Sequence, residues 1–178
     1  MWEEPDALPR PELDRRDFRS ALGCFPTGVC LVTTLGPGGR REGMTINSFT
    51  SVSLDPPMVL WSLSREASSA PVFRDAEYFA VNVLAADDQE ISSHFARQAP
   101  DKFAAFAARF APGLGGAPVL QGAAAVFECQ TRHRNYGGDH IILVGAVERY
   151  SHTDRAPLVF HRGKYNTVQS GLHSESGS

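Results

Sequence analysis

The stretch GMTINSFTSVSLDPP, from Gly43 to Pro57, decides the fold prediction and begins the functional one. Its residues alternate as in a β-strand, and one face carries short hydroxyls, one amide and one ring: Thr45, Asn47, Phe49, Ser51 and Ser53. A solvated strand face usually carries Lys, Glu or Arg, and none occurs between Thr45 and Leu54. Such a face is either a bland strand of small residues in water or the lining of a polar ligand site. This segment alone leaves both interpretations open.

The composition is that of one ordinary globular domain, with 178 residues of which 42% are hydrophobic and 21% charged. The net charge of −3 gives no basis for binding nucleic acid or an anionic membrane surface. No apolar run is long enough to cross a bilayer, and the N-terminus lacks the basic-then-apolar order of a secretory signal. Three cysteines without a CxxC pair predict buried thiols in a cytoplasmic protein: Cys24, Cys30 and Cys129.

The pattern predicts about seven strands, most of them joined by turns. We expect these strands at Val29–Leu35, Gly43–Leu54, Met58–Leu63, Tyr78–Leu84, Ala124–Arg134, His140–Arg149 and Leu158–His161. The turns between them include GPGG (Gly36–Gly39) and Tyr136–Asp139. Because helices do not alternate regularly with these strands, the sequence predicts a mainly β, antiparallel barrel with flanking α-helices rather than a doubly wound parallel sheet.

Four helical segments are predicted around the strands. Asp14 is the expected N-cap of the first, which runs to Cys24, and Ser68 or Ser69 caps a second with Pro71 in its first turn. Asp87 and Glu90 have the spacing of a capping box for a third. The fourth, Asp101–Phe110, carries a stripe of core phenylalanines: Phe103, Phe106 and Phe110. Residues 1–12 are expected to be a flexible arm, 13–168 a single domain and 169–178 a disordered tail.

Several common catalytic motifs are absent. GPGG joins two strands, so it is neither a phosphate-binding P-loop nor a dinucleotide fingerprint. The six histidines form no HExxH or HxH pattern, no metal site is predicted, and no GxSxG nucleophile elbow occurs. If the protein is an enzyme, we therefore expect a bound organic cofactor to supply the difficult chemistry.

Five segments occurring in order resemble one known family. They are Ala21–Thr34, Gly43–Pro57, Tyr78–Leu84 (YFAVNVL), Gly137–Val147 (GGDHIILVGAV) and Pro157–Tyr165 (PLVFHRGKY). Together they resemble the flavin reductase-like domain, and most closely the small reductases that feed reduced flavin to two-component flavin-dependent monooxygenases. The resemblance covers roughly residues 17–168. It implies a split antiparallel β-barrel of the FMN-binding type, a homodimer, FMN or FAD bound near the dimer interface, and NADH or NADPH as the hydride donor.

The resemblance also implies a set of flavin-binding positions. Thr45, Ile46, Asn47 and Ser48 match the segment that edges the isoalloxazine ring. The ribityl chain and phosphate would lie near a second set, Ser62, Ser64, Ser68 and Ser69. A further stretch supplies Phe95, Ala96, Arg97 and Lys102, of which either cation could neutralise the phosphate. Weaker matches near the ring are Thr27, Arg162 and Tyr165.

His140 is the catalytic residue that the resemblance implies, because it places this histidine beside the nicotinamide at the flavin face. Its imidazole could orient the carboxamide or stabilise negative charge on the reduced flavin. We do not expect Asp139 to orient the ring, since adjacent strand residues point in opposite directions. Ile46 stands where many relatives have Ala, so its larger side chain is expected to tighten the ring site or shift flavin preference.

Two other functions remain open from the sequence. One is a flavin-binding module for electron relay or storage that does not turn over nicotinamide. The other keeps a similar barrel but acts on a different substrate, as in the pyridoxamine-phosphate oxidase-like group.

Overall fold

The computed structural model describes residues 12–168, which form twelve strands and three short α-helices. The helices are α1 (Arg15–Leu22), α2 (Ala70–Asp75) and α3 (Gln89–Phe95). The strands are β1 (Thr27–Gly28), β2 (Cys30–Leu35), β3 (Arg41–Ile46), β4 (Thr50–Leu54), β5 (Pro57–Ser64), β6 (Tyr78–Val83), β7 (Phe110–Pro112), β8 (Pro118–Leu120), β9 (Ala125–Gly137), β10 (His140–His152), β11 (Leu158–His161) and β12 (Lys164–Thr167). The predicted arm and tail lie outside the described residues except for Glu12, so the domain limits stay predictions.

Seven of the strands form one antiparallel sheet in the order β3-β2-β6-β9-β10-β5-β4. Its longest pair, β9 and β10, is a hairpin of two 13-residue strands. The predicted Tyr136–Asp139 turn is shorter than expected, because pairing continues to Gly137 opposite His140 and leaves only Gly138 and Asp139 in the loop. Gly138 has φ of +63°, a conformation that a residue without a Cβ adopts at little cost.

The predicted single strand Gly43–Leu54 is wrong: the chain leaves the sheet at residues 47–49. Its first half, β3, lies at one edge of the sheet and its second half, β4, at the other. Four residue steps join Ile46 to Thr50 and reach at most about 14 Å, so the two edges approach each other and the sheet curls into a split barrel. The alternating polar face therefore does not continue through the segment.

Two clusters of apolar side chains fill the two sides of this sheet. One lies inside the barrel and joins residues from β2, β3, β5, β6, β9 and β10 around the buried Trp61. The other lies between the sheet and α3, and it contains Phe95 and Phe103. The predicted phenylalanine stripe is confirmed as core, since Phe103 is 2% exposed and Phe106 and Phe110 pack against the same cluster.

The segment that carries this stripe is not the predicted α-helix. Residues 104–109 form an irregular 3₁₀ turn with a kink at Phe106 (φ −127°), and Phe110 begins β7. The rings of Phe95, Phe103 and Phe110 meet edge to face, with centroids 4.9–5.8 Å apart. The packing of these rings decides the backbone here, although the alanine-rich segment has high intrinsic helix propensity.

The helix caps follow the predictions in part. Asp14 caps α1 as expected, since its carboxylate accepts from the backbone N–H groups of Arg16 (2.7 Å) and Asp17 (3.3 Å). Ser69 occupies the N-cap position of α2. The predicted capping box is wrong, because α3 begins only at Gln89 and the Asp87 carboxylate instead pairs with Arg155.

The three thiols are all free, but only two are buried as predicted. Cys30 is 2% exposed and Cys129 0%, and burial raises the pKa of each to about 12. Cys24 is exposed, contrary to the expectation, because it follows α1, a helix with no buried residue.

Asn82 on β6 is a fully buried polar side chain that ties three strands together. Its Nδ2 donates to the Leu31 carbonyl (2.9 Å), and its Oδ1 accepts from the Leu120 N–H (2.8 Å). A buried polar group is stabilising only while its partners remain satisfied.

We expect Asn82→Leu to lower the free energy of unfolding by about 2–3 kcal/mol, because it strands a buried carbonyl and a buried N–H. Urea denaturation measures the change. The matched control is Asn166→Leu, which is exposed, bonds only to the nearby Lys164 carbonyl, and should cost less than about 0.5 kcal/mol. Equal midpoints for Asn82→Leu and the wild type would contradict the role assigned to Asn82.

Candidate functional site

The outer edge of β3 offers unpaired main-chain groups. β3 is the terminal strand of the main sheet, and it pairs on one side only, with β2. The Gly43 carbonyl accepts from Lys102 Nζ (3.1 Å), so the main chain at Gly43 points away from β2. Thr45 lies two residues further along the strand, so its main-chain N–H and C=O point to the same side as those of Gly43. Such groups can pair with the donor and acceptor edge of a planar heterocycle.

Two hydrogen bonds to Ser92 on α3 connect this edge to β12. Thr45 Oγ1 donates to the Ser92 carbonyl (2.7 Å), and Ser92 Oγ lies 2.8 Å from the Tyr165 hydroxyl. The structure thus brings two predicted positions, Thr45 and Tyr165, to one place. Ser92 was not predicted. A serine among apolar residues on a helix gives too weak a signal for sequence analysis to identify it.

A cavity of about 410 Å³ lies between the start of β3 and the loop after α3. It brings together the predicted positions Ser68 and Lys102, and it is also lined by Arg40 and Arg41. Arg40 pairs with Glu42 (2.7 Å), and the Arg41 guanidinium lies 4.9 Å from the centre of the Phe103 ring. Sequence reasoning missed both arginines, although two adjacent cations directly after the GPGG turn were a visible signal. The residues of this cavity suit a phosphate.

The Lys102 ammonium has hydrogen-bond partners for two of its three N–H groups. It donates to the Gly43 and Phe95 carbonyls, each at 3.1 Å, and an ammonium has three N–H groups. Burial lowers the pKa of Lys102, and the neighbouring Glu42 partly offsets that effect. Arg97, the other cation predicted for phosphate, is exposed and does not line the cavity, and neither does the exposed Ala96.

His140 lies on a polar outer face of the sheet. In the register of β10 with β5, His140 faces Ser64 and Ile142 faces Ser62, so the two serines share its side of the sheet. Ser48 joins the same region, because its hydroxyl bonds to both the N–H and the carbonyl of Ser62, each at 3.0 Å. The predicted positions Ser48, Ser62, Ser64 and His140 therefore lie close together.

Asp139 does orient the His140 ring, contrary to the sequence-based expectation. Its Oδ1 lies 2.7 Å from His140 Nδ1. The alternation rule fails here because Asp139 lies in the two-residue turn rather than in a strand. Since a carboxylate only accepts, His140 Nδ1 donates the proton of this hydrogen bond. The hydrogen bond from His140 holds the pKa of Asp139 below its usual range.

Several predicted positions have side chains that face elsewhere. Ile46 (7% exposed) and Phe95 (1%) lie in the two apolar clusters, so the Ile46 side chain fills the barrel interior. Ser69 is buried, with its Oγ 3.6 Å from the Met44 sulfur. Arg162 donates to the Cys24 sulfur (3.6 Å) and lines a different cavity, beside α1.

The unpartnered polar groups of this region fit a flavin nucleotide. Thr27 Oγ1 is buried and has no hydrogen-bond partner among residues 12–168, and the exposed Asn47 amide also lacks one there. These two groups, the free edge at Thr45 and the spare N–H of Lys102 supply donors and acceptors for a ring and a phosphate. Within residues 12–168, no group of three His, Cys, Asp or Glu side chains is placed to hold a metal ion.

Comparison with known proteins assigns the family. The flavin reductase like domain matches residues 22–169, so the chain belongs to the flavin reductase-like domain family and the predicted membership is confirmed. It is 45% identical over 152 residues to the FMN reductase (NADH) SmoA of Agrobacterium fabrum, covering 84% of each chain. It is 41% identical to the reductase component of the flavin-dependent trigonelline monooxygenase of Acinetobacter baylyi, covering 85% of this chain but 48% of that protein.

A solved structure confirms the fold. The chain superposes with a TM-score of 0.83 on the NADH:FAD oxidoreductase SgcE6 of Streptomyces globisporus, crystallised with NAD and FAD fragments. The two are 35% identical, and the match covers 91% of this chain and 96% of that one. The predicted mainly β flavin reductase fold is therefore correct, even though the predicted single strand Gly43–Leu54 is two strands.

We expect Lys102→Met to weaken FMN binding about 10- to 100-fold, because it removes a cation from the phosphate cavity. Fluorescence titration with FMN measures the loss. Riboflavin, which has no phosphate, should bind both proteins equally, and this separates a lost phosphate contact from a damaged fold. The matched variant Arg97→Met should leave FMN affinity within about twofold. A Lys102→Met protein that binds FMN like the wild type would remove Lys102 from the site.

Proposed function

We propose that this protein is an NADH-dependent flavin reductase that passes reduced FMN or FAD to a separate flavin-dependent monooxygenase. One observation carries the proposal. In a chain of this family, the Lys102 cavity adjoins the free β3 edge through the bond from Lys102 to Gly43. The chain then crosses to Ser48, which bonds to Ser62 on β5, and β5 pairs with His140 through Ser64. SmoA is named an NADH-dependent FMN reductase and SgcE6 an NADH:FAD oxidoreductase, so relatives support NADH and leave both flavins open.

The protein's own part is to position two rings. When bound, the flavin supplies the hydride acceptor, and transfer needs the donor and acceptor atoms within about 3–3.5 Å. The Thr45 main chain and the Asn47 amide would hold the ring edge, while Lys102 and Ser68 would hold the phosphate. Such polar groups orient the ring without adding a competing charge beside it.

His140 is proposed as the residue that orients the nicotinamide. Its Nδ1 proton is donated to Asp139, so Nε2 is the ring nitrogen left to hydrogen-bond the carboxamide. The side chain is 44% exposed, so a ligand can reach it. Asp139 is then a positioning residue that acts through His140.

A homodimer and a cytoplasmic location are part of the proposal. α1 and the turn after it expose large apolar side chains, Phe18 (50%), Leu22 (59%) and Phe25 (75%), as surfaces that pack against a second subunit often do. The free thiols support a reducing compartment. No helix within residues 12–168 is both long and apolar enough to span a membrane.

The electron-relay or storage alternative is less well supported. SmoA and SgcE6 are both named for catalytic turnover of nicotinamide with a flavin. The ordered imidazole of His140 has no evident use in a module that only stores flavin. A chemistry like that of the pyridoxamine-phosphate oxidases has no support from these relatives.

Steady-state NADH oxidation with FMN and FAD titrated separately tests the proposed function. We expect flavin-dependent consumption of NADH that saturates with at least one of the two flavins. A protein that binds flavin tightly but oxidises neither NADH nor NADPH would instead establish the relay or storage function.

We expect His140→Ala to lower kcat for NADH oxidation about 10- to 100-fold while leaving the Kd for flavin unchanged, because it removes an orienting group. Rapid-mixing measurement of flavin reduction and a flavin titration give the two quantities. The control His133→Ala changes an exposed histidine on β9 that faces Val144 and should have no effect. Equal reduction rates in His140→Ala and the wild type would dismiss the assigned role.

A further inference from the structure

The loop after α3 returns to the helix that it leaves, and two hydrogen bonds close it. His94 Nε2 lies 3.0 Å from the Lys102 carbonyl oxygen. Lys102 Nζ donates to the carbonyl of Phe95, the last residue of α3, at 3.1 Å. Since a carbonyl oxygen only accepts, His94 Nε2 donates the proton of the first bond. The main chain and the ammonium of Lys102 are thus both tied to the C-terminal end of α3.

Aromatic packing fixes the His94 ring in turn. The ring meets those of Phe95 and Phe106 edge to face, with centroids 5.5 Å and 5.1 Å apart. Phe95 belongs to the apolar cluster between the sheet and α3, and Phe106 packs against that cluster. Because two rings hold the imidazole, His94 binds the Lys102 main chain from an ordered position on the helix.

The residues that follow this contact are anchored as well. Asp101 Oδ1 accepts from the main-chain N–H groups of Phe103 (2.9 Å) and Ala104 (3.2 Å), and Phe103 is only 2% exposed. Within residues 12–168, the bond from His94 is the one hydrogen bond to the main chain of Lys102. The position of Lys102 in the loop therefore depends on His94.

We propose that His94 is a positioning residue of the phosphate site and that it acts through Lys102. The inference rests on the proposed function and deepens it, since Lys102 is the cation assigned to the flavin phosphate. A lysine has a long and flexible stem, and ordering that stem before the ligand arrives reduces the entropy lost on binding. With its main chain and its ammonium both held, Lys102 keeps its third N–H available to a phosphate in the cavity.

Two amide substitutions separate this bond from the packing of the ring. His94→Gln and His94→Asn both remove the imidazole, but only glutamine is long enough to place an N–H donor where Nε2 lies. We expect His94→Asn to weaken FMN binding about fivefold to tenfold, because Lys102 loses its anchor, and His94→Gln to stay within about twofold of the wild type. Titration of flavin fluorescence measures each dissociation constant.

Riboflavin supplies the readout that a merely structural role would not produce. It carries the same ring system without the phosphate, so both variants should bind it as the wild type does. In the Lys102→Met background, His94→Asn should change FMN affinity by less than about twofold, because the group through which it acts is gone. The control His152→Asn changes an exposed histidine at the end of β10 and should leave the binding of both flavins unchanged.

Four results would overturn the inference. The first is unchanged FMN affinity in His94→Asn. Equal weakening by both amide variants would assign the effect to lost ring packing, and equal weakening of FMN and riboflavin would assign it to a general disturbance of the site. A full loss of affinity in the Lys102→Met background would show that His94 does not act through Lys102. If His94→Asn does not fold, His94→Leu, which keeps an apolar side chain against Phe106, replaces it with the same expected results.

The role of His94 and the proposed function fail separately, because these titrations need no turnover. A wild type that oxidises NADH but gives any of the four contrary results keeps the proposed function and loses only the role of His94. A wild type that binds FMN and oxidises no nicotinamide overturns the proposed function, whereas the expected pattern of affinities would still support His94 as the residue that positions Lys102.

Discussion

The split barrel depends on the hydrogen bonds that the Ser48 hydroxyl makes where the chain crosses from one edge of the sheet to the other. This hydroxyl accepts from the Ser62 N–H and donates to the Ser62 carbonyl, in the position where the β4–β5 ladder would have its next pair. A side-chain hydroxyl thus replaces one main-chain pair of the β4–β5 ladder, and the chain between β3 and β4 can cross from one edge of the sheet to the other. Without that crossing the sheet would be open, and the apolar residues of β3 and β5 would not share one interior cluster.

The crossing also creates the site. Because the chain turns away at residues 47–49, β3 remains a true edge whose outward main-chain groups no strand covers. Exposed edges are prone to unwanted pairing, and proteins commonly cover them with side chains or loops. Here Lys102 covers the edge at Gly43, and α2 and α3 flank it through Ser69 and Ser92. What remains open is a short polar slot that is suited to a ring edge.

The charged side chains near the β3 edge are concentrated in one cavity. Hydroxyls, one amide and main-chain groups lie along this edge, and the neighbouring cavity is lined by Arg40, Arg41 and Lys102. The Asp139–His140 pair orients the imidazole through one hydrogen bond. The cations of the cavity are thus separated from the polar, uncharged groups of the β3 edge.

The sequence by itself determined the β-rich character, the Asp14 cap, the phenylalanine core and, through ordered segments, the family. It could not show that Gly43–Leu54 divides between opposite edges, because alternation records which side a residue faces and not which strand it pairs with. It also missed Asp139 as a partner of His140, Arg40 and Arg41 beside Lys102, and the burial of the Ile46 side chain. Only the tertiary structure decided these points, since each depends on contacts between residues distant in the chain or on the exact length of a turn.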